Sequence, residues 1–129
     1  MSITLVLAIG LDSWRLATHS ALWRPAGYVV LSAATIREAI EHFRNGDFDL
    51  VLLGRSLSKE SRERLTYLIR SSGSLTPVVS IADDSGDSDL FADATISNDS
   101  NALLTGMGQL MANGAKLRAK PAIARSYAT

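Results

Sequence analysis

Short, almost continuously apolar segments alternate along this chain with segments in which apolar residues recur every three or four positions. Apolar runs of this kind are typical of strands buried on both faces of a parallel sheet, because neither face of such a strand meets water. The pattern predicts strands at residues 3–9, 28–31, 49–53, 77–81 and 94–96.

Helical spacing fills the intervals between these strands. Thr35 and Glu38 form a capping box, so a helix is expected to begin there and to stop at Asn45-Gly46. Further helices are predicted at 14–23, at 59–70, near Leu90 and from Asp99 or Ser100 onward. The residues predicted to face inward are Leu16, Ala17, Ala21 and Leu22 in the first helix, Ile36, Ala39, Ile40 and Phe43 in the second, Leu65, Leu68 and Ile69 in the third, and Leu103, Leu104, Met107, Leu110 and Met111 in the last.

Strands that alternate with helices require right-handed crossover connections, which place helices on both faces of one parallel sheet. The predicted fold class is therefore α/β, with a single domain over residues 1–115. Beyond this domain the helical spacing is lost, and residues 116–129 are expected to form a flexible basic tail that carries Lys116, Arg118, Lys120 and Arg125. Sheets of this type bind ligands at the carboxyl ends of their strands, so a functional site is expected there.

Composition narrows the classes of function. The 129 residues include thirteen basic and thirteen acidic side chains, and a formal net charge of zero gives no general attraction to nucleic acid or to an anionic membrane. The absence of cysteine excludes disulfides, thiolate metal sites and thiol nucleophiles. No basic segment precedes the apolar start at residues 3–9, which is also too short to span a bilayer, and we expect a cytoplasmic protein.

The order and spacing of several segments resemble those of a response-regulator receiver (CheY-like) domain. The resemblance extends roughly from Ile3 to Met111 and is carried by Gly27-Tyr28, the apolar helix face from Ile36 to Phe43 and the strands at 49–53 and 77–79. It implies the flavodoxin-like strand order 2-1-3-4-5, doubly wound with helices on both faces. It also implies transfer of a phosphoryl group to an aspartate at the end of the third strand, assisted by Mg²⁺ on two acidic residues, a hydroxyl and a lysine at neighbouring strand ends.

Each of these roles falls on an unsuitable residue in this chain. The acidic pair falls on Gly10 and Leu11, with Asp12 one position later, and the phosphoacceptor falls on Gly54, which has no side chain. The hydroxyl position falls on Ala82. The segment after the fifth strand, around Ser97-Asn98, contains neither the lysine nor a following proline.

These substitutions indicate a degenerate pseudo-receiver, which we expect to be no enzyme and to take no cofactor. The function that the resemblance then implies is a stand-alone, phosphorylation-independent interaction module of two-component signalling, with a protein partner. Receivers commonly pair through their α4-β5-α5 face (fourth helix, fifth strand and fifth helix in the numbering of that family), so a homodimer through this face is expected here.

Two alternatives stay open. In the first, Asp12 holds a cation together with Asp83 or Asp84 and a nearby carboxylate accepts phosphate, although Asp12 also suits a helix N-cap. In the second, the chain is a small nucleotide-binding flavodoxin-like protein, which the lack of a glycine-rich phosphate loop after the first strand disfavours.

Other side chains that could bind a ligand or take part in a reaction have simpler explanations. Arg55 follows Gly54 and either fills the place of the receiver cation or points into solvent. His19 and His42 are expected on the surface, because neither has a partner at ligand spacing. Trp14 and Trp23 lie on different sides of the first helix, so one of them is expected to be exposed and available to a partner.

Two charged segments are expected to be solvated rather than to form sites. Residues 83–89 resemble a calcium loop in composition only, because the glycine and the ligand spacing do not match. The basic tail lacks the interleaved aromatic residues of a nucleic-acid contact.

Overall fold

One parallel sheet organises the molecule. The computed structural model describes residues 3–82 and 89–119, with side chains in the last helix as far as Ala112. The strands are β1 (Thr4–Ile9), β2 (Tyr28–Ala33), β3 (Leu50–Leu53), β4 (Val78–Ile81) and β5 (Ala94–Ile96), hydrogen-bonded in the order β2-β1-β3-β4-β5. This order confirms the predicted flavodoxin-like fold class.

The helices begin where polar side chains satisfy free backbone N–H groups. Those in the described residues are α1 (Ser13–Trp23), α2 (Ile36–Asn45), α3 (Lys59–Ser71) and α4 (Ser100–Ala119), with a 3₁₀ turn at Arg24–Ala26. Their starts are capped by the side chains of Asp12, Thr35, Ser58 and Asp99. None of these helices is long and apolar enough to cross a membrane. Helix α4 continues four residues beyond the predicted domain boundary at 115, and the rest of the predicted tail lies outside the described residues.

Two apolar layers explain why the strands lack polar alternation. Helices α2 and α3 cover one face of the sheet and bury Leu7, Ile9, Val51, Leu53 and Val78. Helices α1 and α4 cover the other face and bury Val6, Ala8, Leu50, Leu52, Val79 and Ile81. The inward faces predicted for α2 and α4 contribute to these two layers.

The inward face predicted for α1 is wrong except for Leu16, which packs against the core. Ala17, Ala21 and Leu22 are exposed, and the residues that α1 buries are His19 and Trp23. The Trp23 indole is fully buried and donates a hydrogen bond to the Ser100 carbonyl at 3.0 Å, which draws this side of α1 against α4. Trp14, in contrast, is 71% exposed, so the prediction of one exposed tryptophan is confirmed.

The helix predicted near Leu90 is also wrong for the residues that the structure describes. Residues 89–93 form a turn, and Leu90 itself is exposed. Asp93 accepts a hydrogen bond from the Val78 backbone N–H at 2.7 Å and another from Arg70. Because its carboxylate joins α3 to the start of β4, this segment is pinned to its neighbours rather than wound into a helix.

Candidate functional site

The ends of β1 and β3 are joined beyond the strands themselves. Ile9 lies opposite Leu53 in the parallel register, which brings Gly10 next to Gly54. The Gly54 N–H donates to the Ile9 carbonyl at 2.7 Å, and the Ser56 N–H donates to the Gly10 carbonyl at 3.0 Å. The loops that follow the two strands are therefore hydrogen-bonded to each other at the edge where receivers carry out their chemistry.

No space for a side chain exists at position 54. A Cβ atom built on Gly54 would lie 2.6 Å from the Gly10 carbonyl carbon and 2.9 Å from the Leu11 nitrogen, and closer still to the Gly10 oxygen. These distances are shorter than real Cβ contacts, and the obstructing atoms are backbone, which cannot rotate aside. The space beside Gly54, where the resemblance places the phosphoacceptor side chain, is thus filled by the neighbouring main chain.

Gly10 is held in a conformation that favours glycine. Its φ of 76° lies in the left-handed region, where a Cβ atom is strained. A Cβ atom there would also lie 2.6 Å from Leu57 Cγ, because the Leu57 side chain packs over Gly10 from the loop before α3. Gly10, where the resemblance places the first residue of the acidic pair, is consequently covered by an apolar side chain.

Asp12 serves as the cap of α1. Its carboxylate accepts a hydrogen bond from the Arg15 N–H at 2.8 Å, which is the helix-capping alternative weighed from the sequence. Asp83 and Asp84, its suggested partners for a cation, lie outside the described residues. In the part of the chain that the structure describes, no three His, Asp or Glu side chains are grouped so that they could hold a metal ion.

Arg55, Ala82 and Ser97 lie at the same edge of the sheet. The Arg55 guanidinium reaches from the end of β3 to the end of β4 and donates to the Ile81 carbonyl at 3.3 Å. The Ala82 N–H donates to the Ile96 carbonyl at 2.8 Å and so extends the pairing of β4 with β5. Ser97 is exposed. Arg55 thus contributes a positive charge across these strand ends.

A buried ion pair that the sequence analysis did not predict joins α3 to the segment before β5. Arg62 and Asp89 are 3% and 5% exposed, and Arg62 Nε donates to Asp89 Oδ2 at 2.8 Å. The Ser80 hydroxyl donates to the same carboxylate, and the Asp89 N–H donates to the Thr95 hydroxyl at 3.0 Å. Arg62 Nη1 donates to the Leu57 carbonyl at 2.7 Å, so the pair also holds the loop that covers Gly10.

Burial alone would raise the pKa of Asp89. Hydrogen bonds from Arg62 and Ser80, together with the charges of Arg62 and Arg55, outweigh this effect and hold the pKa below its usual value. Asp89 is therefore ionised at neutral pH and balances the buried guanidinium. A sequence signal existed, because Arg62 lies three residues before Leu65 and shares its side of α3.

The expectation that His19 is a surface residue is wrong. The ring is 2% exposed and stacks on Trp23 with 4.8 Å between ring centroids, and its Nδ1 lies 2.6 Å from the Ser100 hydroxyl. Burial lowers the pKa of His19, and the neighbouring Asn98 side chain opposes this effect only in part. His42 lies on the surface as predicted, 3.7 Å from the Glu38 carboxylate.

An exposed aromatic side chain lies at the start of α1. The Trp14 ring is largely solvated, and the Arg15 guanidinium lies over it at 5.7 Å from the ring centroid. A solvated tryptophan is the kind of residue that dominates protein interfaces, because its large ring gains most from burial.

Comparison with solved structures identifies the same fold in receiver domains. The signal receiver domain of an HD-domain protein from Pseudomonas fluorescens superimposes with a TM-score of 0.76 at 18% identity, over 93% of this chain and 95% of that chain. Chemotaxis response regulator CheY4 of Vibrio cholerae gives a TM-score of 0.70 at 19% identity, over 84% and 98% of the two chains. A CheY-like receiver protein from Methanospirillum hungatei gives 0.69 at 22% identity, over 89% and 98%.

No protein-family model matches the sequence, and no curated protein matches it either. Identities this low show a shared fold and leave function to be argued from the site.

Proposed function

We propose that this chain is a degenerate receiver domain that acts in two-component-type signal transduction as a protein-interaction module and takes up no phosphoryl group. The receiver fold supports the signalling context. The observation that supports the lack of phosphorylation is Gly54, which has no side chain to accept a phosphoryl group and whose neighbouring space is taken by the backbone of Gly10 and Leu11.

Phosphoryl transfer to a receiver requires a carboxylate nucleophile and a cation that neutralises charge on the phosphoryl oxygens. Position 54 offers no nucleophile, and the Gly10 carbonyl is already paired with the Ser56 N–H. Asp12, the carboxylate that directly follows Gly10 and Leu11, caps α1. The strand ends thus provide a closed surface that a partner can contact rather than a reactive pocket.

The test is incubation of the full chain with acetyl phosphate and Mg²⁺, followed by intact-mass measurement. An active receiver treated in parallel serves as the positive control. The unmodified mass is expected, and addition of one phosphoryl group that maps to any aspartate would refute the proposal. Calorimetry with Mg²⁺ on the wild type and on Asp12→Ala tests the alternative in which Asp12 holds a cation together with Asp83 or Asp84. That alternative requires Mg²⁺ binding by the wild type and its loss in the variant.

The interaction role includes a homodimer in this proposal, through the face formed by β5 and α4. In the family this face also contains a helix before the fifth strand, whereas residues 89–93 here form a turn. Light scattering on the purified chain measures its mass in solution. Gln109→Arg changes an exposed position of α4. The proposal is supported if the wild type is a dimer and this variant is a monomer. A monomer at all concentrations contradicts it.

A further inference from the structure

An apolar cavity of about 150 Å³ lies between α2 and α3, on the opposite side of the sheet from α1. Its floor is formed by Leu7 and Ile9 of β1. Its walls come from both helices and are apolar almost throughout: Ala39, Ile40 and Phe43 from α2, and Leu65, Leu68 and Ile69 from α3. The cavity therefore lies within the core layer itself.

A small residue, Ala39, lines the cavity from α2. Ala39 is fully buried, and its methyl group is all that α2 contributes at this point. Leu68, across the opening, is 38% exposed and therefore only partly closes the mouth. An apolar cavity of this volume can hold a molecule about as large as benzene.

Positive charge surrounds the mouth of the cavity. Arg44 lines both the cavity and the adjoining surface groove, and the groove is completed by Arg37 and Arg64. Glu41 is the acidic residue among the lining groups of this groove. Three guanidinium groups beside one carboxylate favour an anion at the mouth, and guanidinium pairs well with carboxylate.

We propose that the cleft between α2 and α3 is a binding site for a small amphipathic carboxylate, which places an aromatic or short alkyl group in the cavity and its carboxylate among the arginines at the mouth. A ligand of this class would stabilise the packing of α2 against α3. The site lies apart from Gly54, so it stands or fails independently of the function proposed above.

Phenylacetate is a suitable probe, and phenylacetamide is its neutral counterpart of similar shape. Titration of the isotope-labelled full chain is expected to shift the amide resonances of Ala39, Leu65 and Ile69 in a saturable way. Phenylacetate is expected to bind about threefold to tenfold more tightly than phenylacetamide at low salt, because only the carboxylate pairs with the arginines. No saturable shift at these residues would overturn the proposal, and equal affinity would overturn its anionic part.

Variants locate the site. Arg44→Gln is expected to remove most of the preference for phenylacetate, whereas Arg24→Gln, on the 3₁₀ turn, leaves it unchanged. Ala39→Leu fills the cavity and is expected to weaken both probes at least about tenfold, since a filled cavity has no room for the ring. Ala17→Leu on the exposed side of α1 is the matched control. If Ala39→Leu does not fold, Ala39→Val must still weaken both probes, and undiminished binding by the variant that folds contradicts the assignment.

Discussion

Replacement of Gly54 by alanine tests most directly the closed arrangement of the strand ends, in which the backbone of Gly10 and Leu11 packs against Gly54. The added methyl group would be placed against the Gly10 carbonyl group and the Leu11 nitrogen. These atoms are held by the hydrogen bonds of Gly54 to Ile9 at 2.7 Å and of Ser56 to Gly10 at 3.0 Å. Accommodation of the methyl group therefore requires a shift of the main chain.

The expected cost follows from these contacts. Overpacking of a core by one or a few methylene-sized groups costs typically about 1–3 kcal/mol, and weakening of a buried hydrogen bond adds about 1 kcal/mol. Because the obstructing atoms are backbone, we expect Gly54→Ala to lower the free energy of unfolding by about 3 kcal/mol. In a domain of this size that change lowers the melting temperature by about 10 °C.

Urea unfolding followed by circular dichroism measures the difference, and Gly108→Ala is the matched control. Gly108 lies in α4, where an added Cβ would meet only Tyr28 Oη at an ordinary 3.9 Å. Alanine exceeds glycine in helix stability by about 1 kcal/mol, so this control should be slightly stabilised. A Gly54→Ala variant as stable as the wild type would refute the closed arrangement, whereas the lack of a nucleophile at position 54 does not depend on it.

Three further outcomes are expected from the buried polar groups. The free energy of unfolding should fall as the pH drops below about 6.5, because the unfolded chain then protonates His19 while burial keeps the pKa of His19 lower in the folded state. Urea unfolding between neutral and mildly acidic pH measures this dependence, and His19→Gln should make it weaker. An unchanged pH dependence in the variant would exclude His19 as the cause. Asp89→Asn should lower stability by about 3–5 kcal/mol, because it leaves the guanidinium of Arg62 buried without its counter-charge, whereas the double change Arg62→Met with Asp89→Leu should recover most of the loss. The stability changes of Gly54→Ala and Asp89→Asn should differ from additivity by roughly 0.5 kcal/mol or more in a double-mutant cycle, since both act on the loop that contains Leu57. Strictly additive changes would show that the ion pair does not support the strand ends.

Local patterns predicted most of the fold. The apolar run of β3 is uninterrupted, and Ser80 is the one polar residue of β4, because both faces of these central strands are covered. The capping side chains of Asp12 and Thr35 act within three residues of their own position. Such signals need no knowledge of distant parts of the chain. For this reason the strand positions and most helix starts could be predicted to within one or two residues.

The errors arose where a distant partner decides the outcome. His19 is buried because Ser100, on another helix, lies beside its ring, and Arg62 is buried because Asp89 supplies a counter-charge from the connection before β5. Hydrophobic periodicity treats both residues as polar and places them in solvent. The side of α1 that faces the core was therefore mispredicted, and the ion pair was not anticipated.

At the candidate site, the sequence shows which residues stand where the resemblance places the reactive groups, but it does not show how these residues pack. A missing aspartate at position 54 is compatible with an empty pocket that a cation or a water cluster could occupy. Whether the pocket is empty depends on the left-handed φ of Gly10 and on the side chain of Leu57, and neither follows from residue type alone.

The buried ion pair of this domain lies away from the ends of β1 and β3. Carboxylates grouped at one edge of a sheet repel one another unless a cation is bound, so a receiver that no longer needs the cation gains stability from their loss. Here the buried carboxylate is that of Asp89, which is neutralised within the chain by Arg62. The same arginine donates to the Leu57 carbonyl, so the internal ion pair supports the side chain that covers Gly10. Contacts within the chain thus hold the strand ends together, and this is the physical basis of the proposal that the contact surface does not depend on phosphorylation.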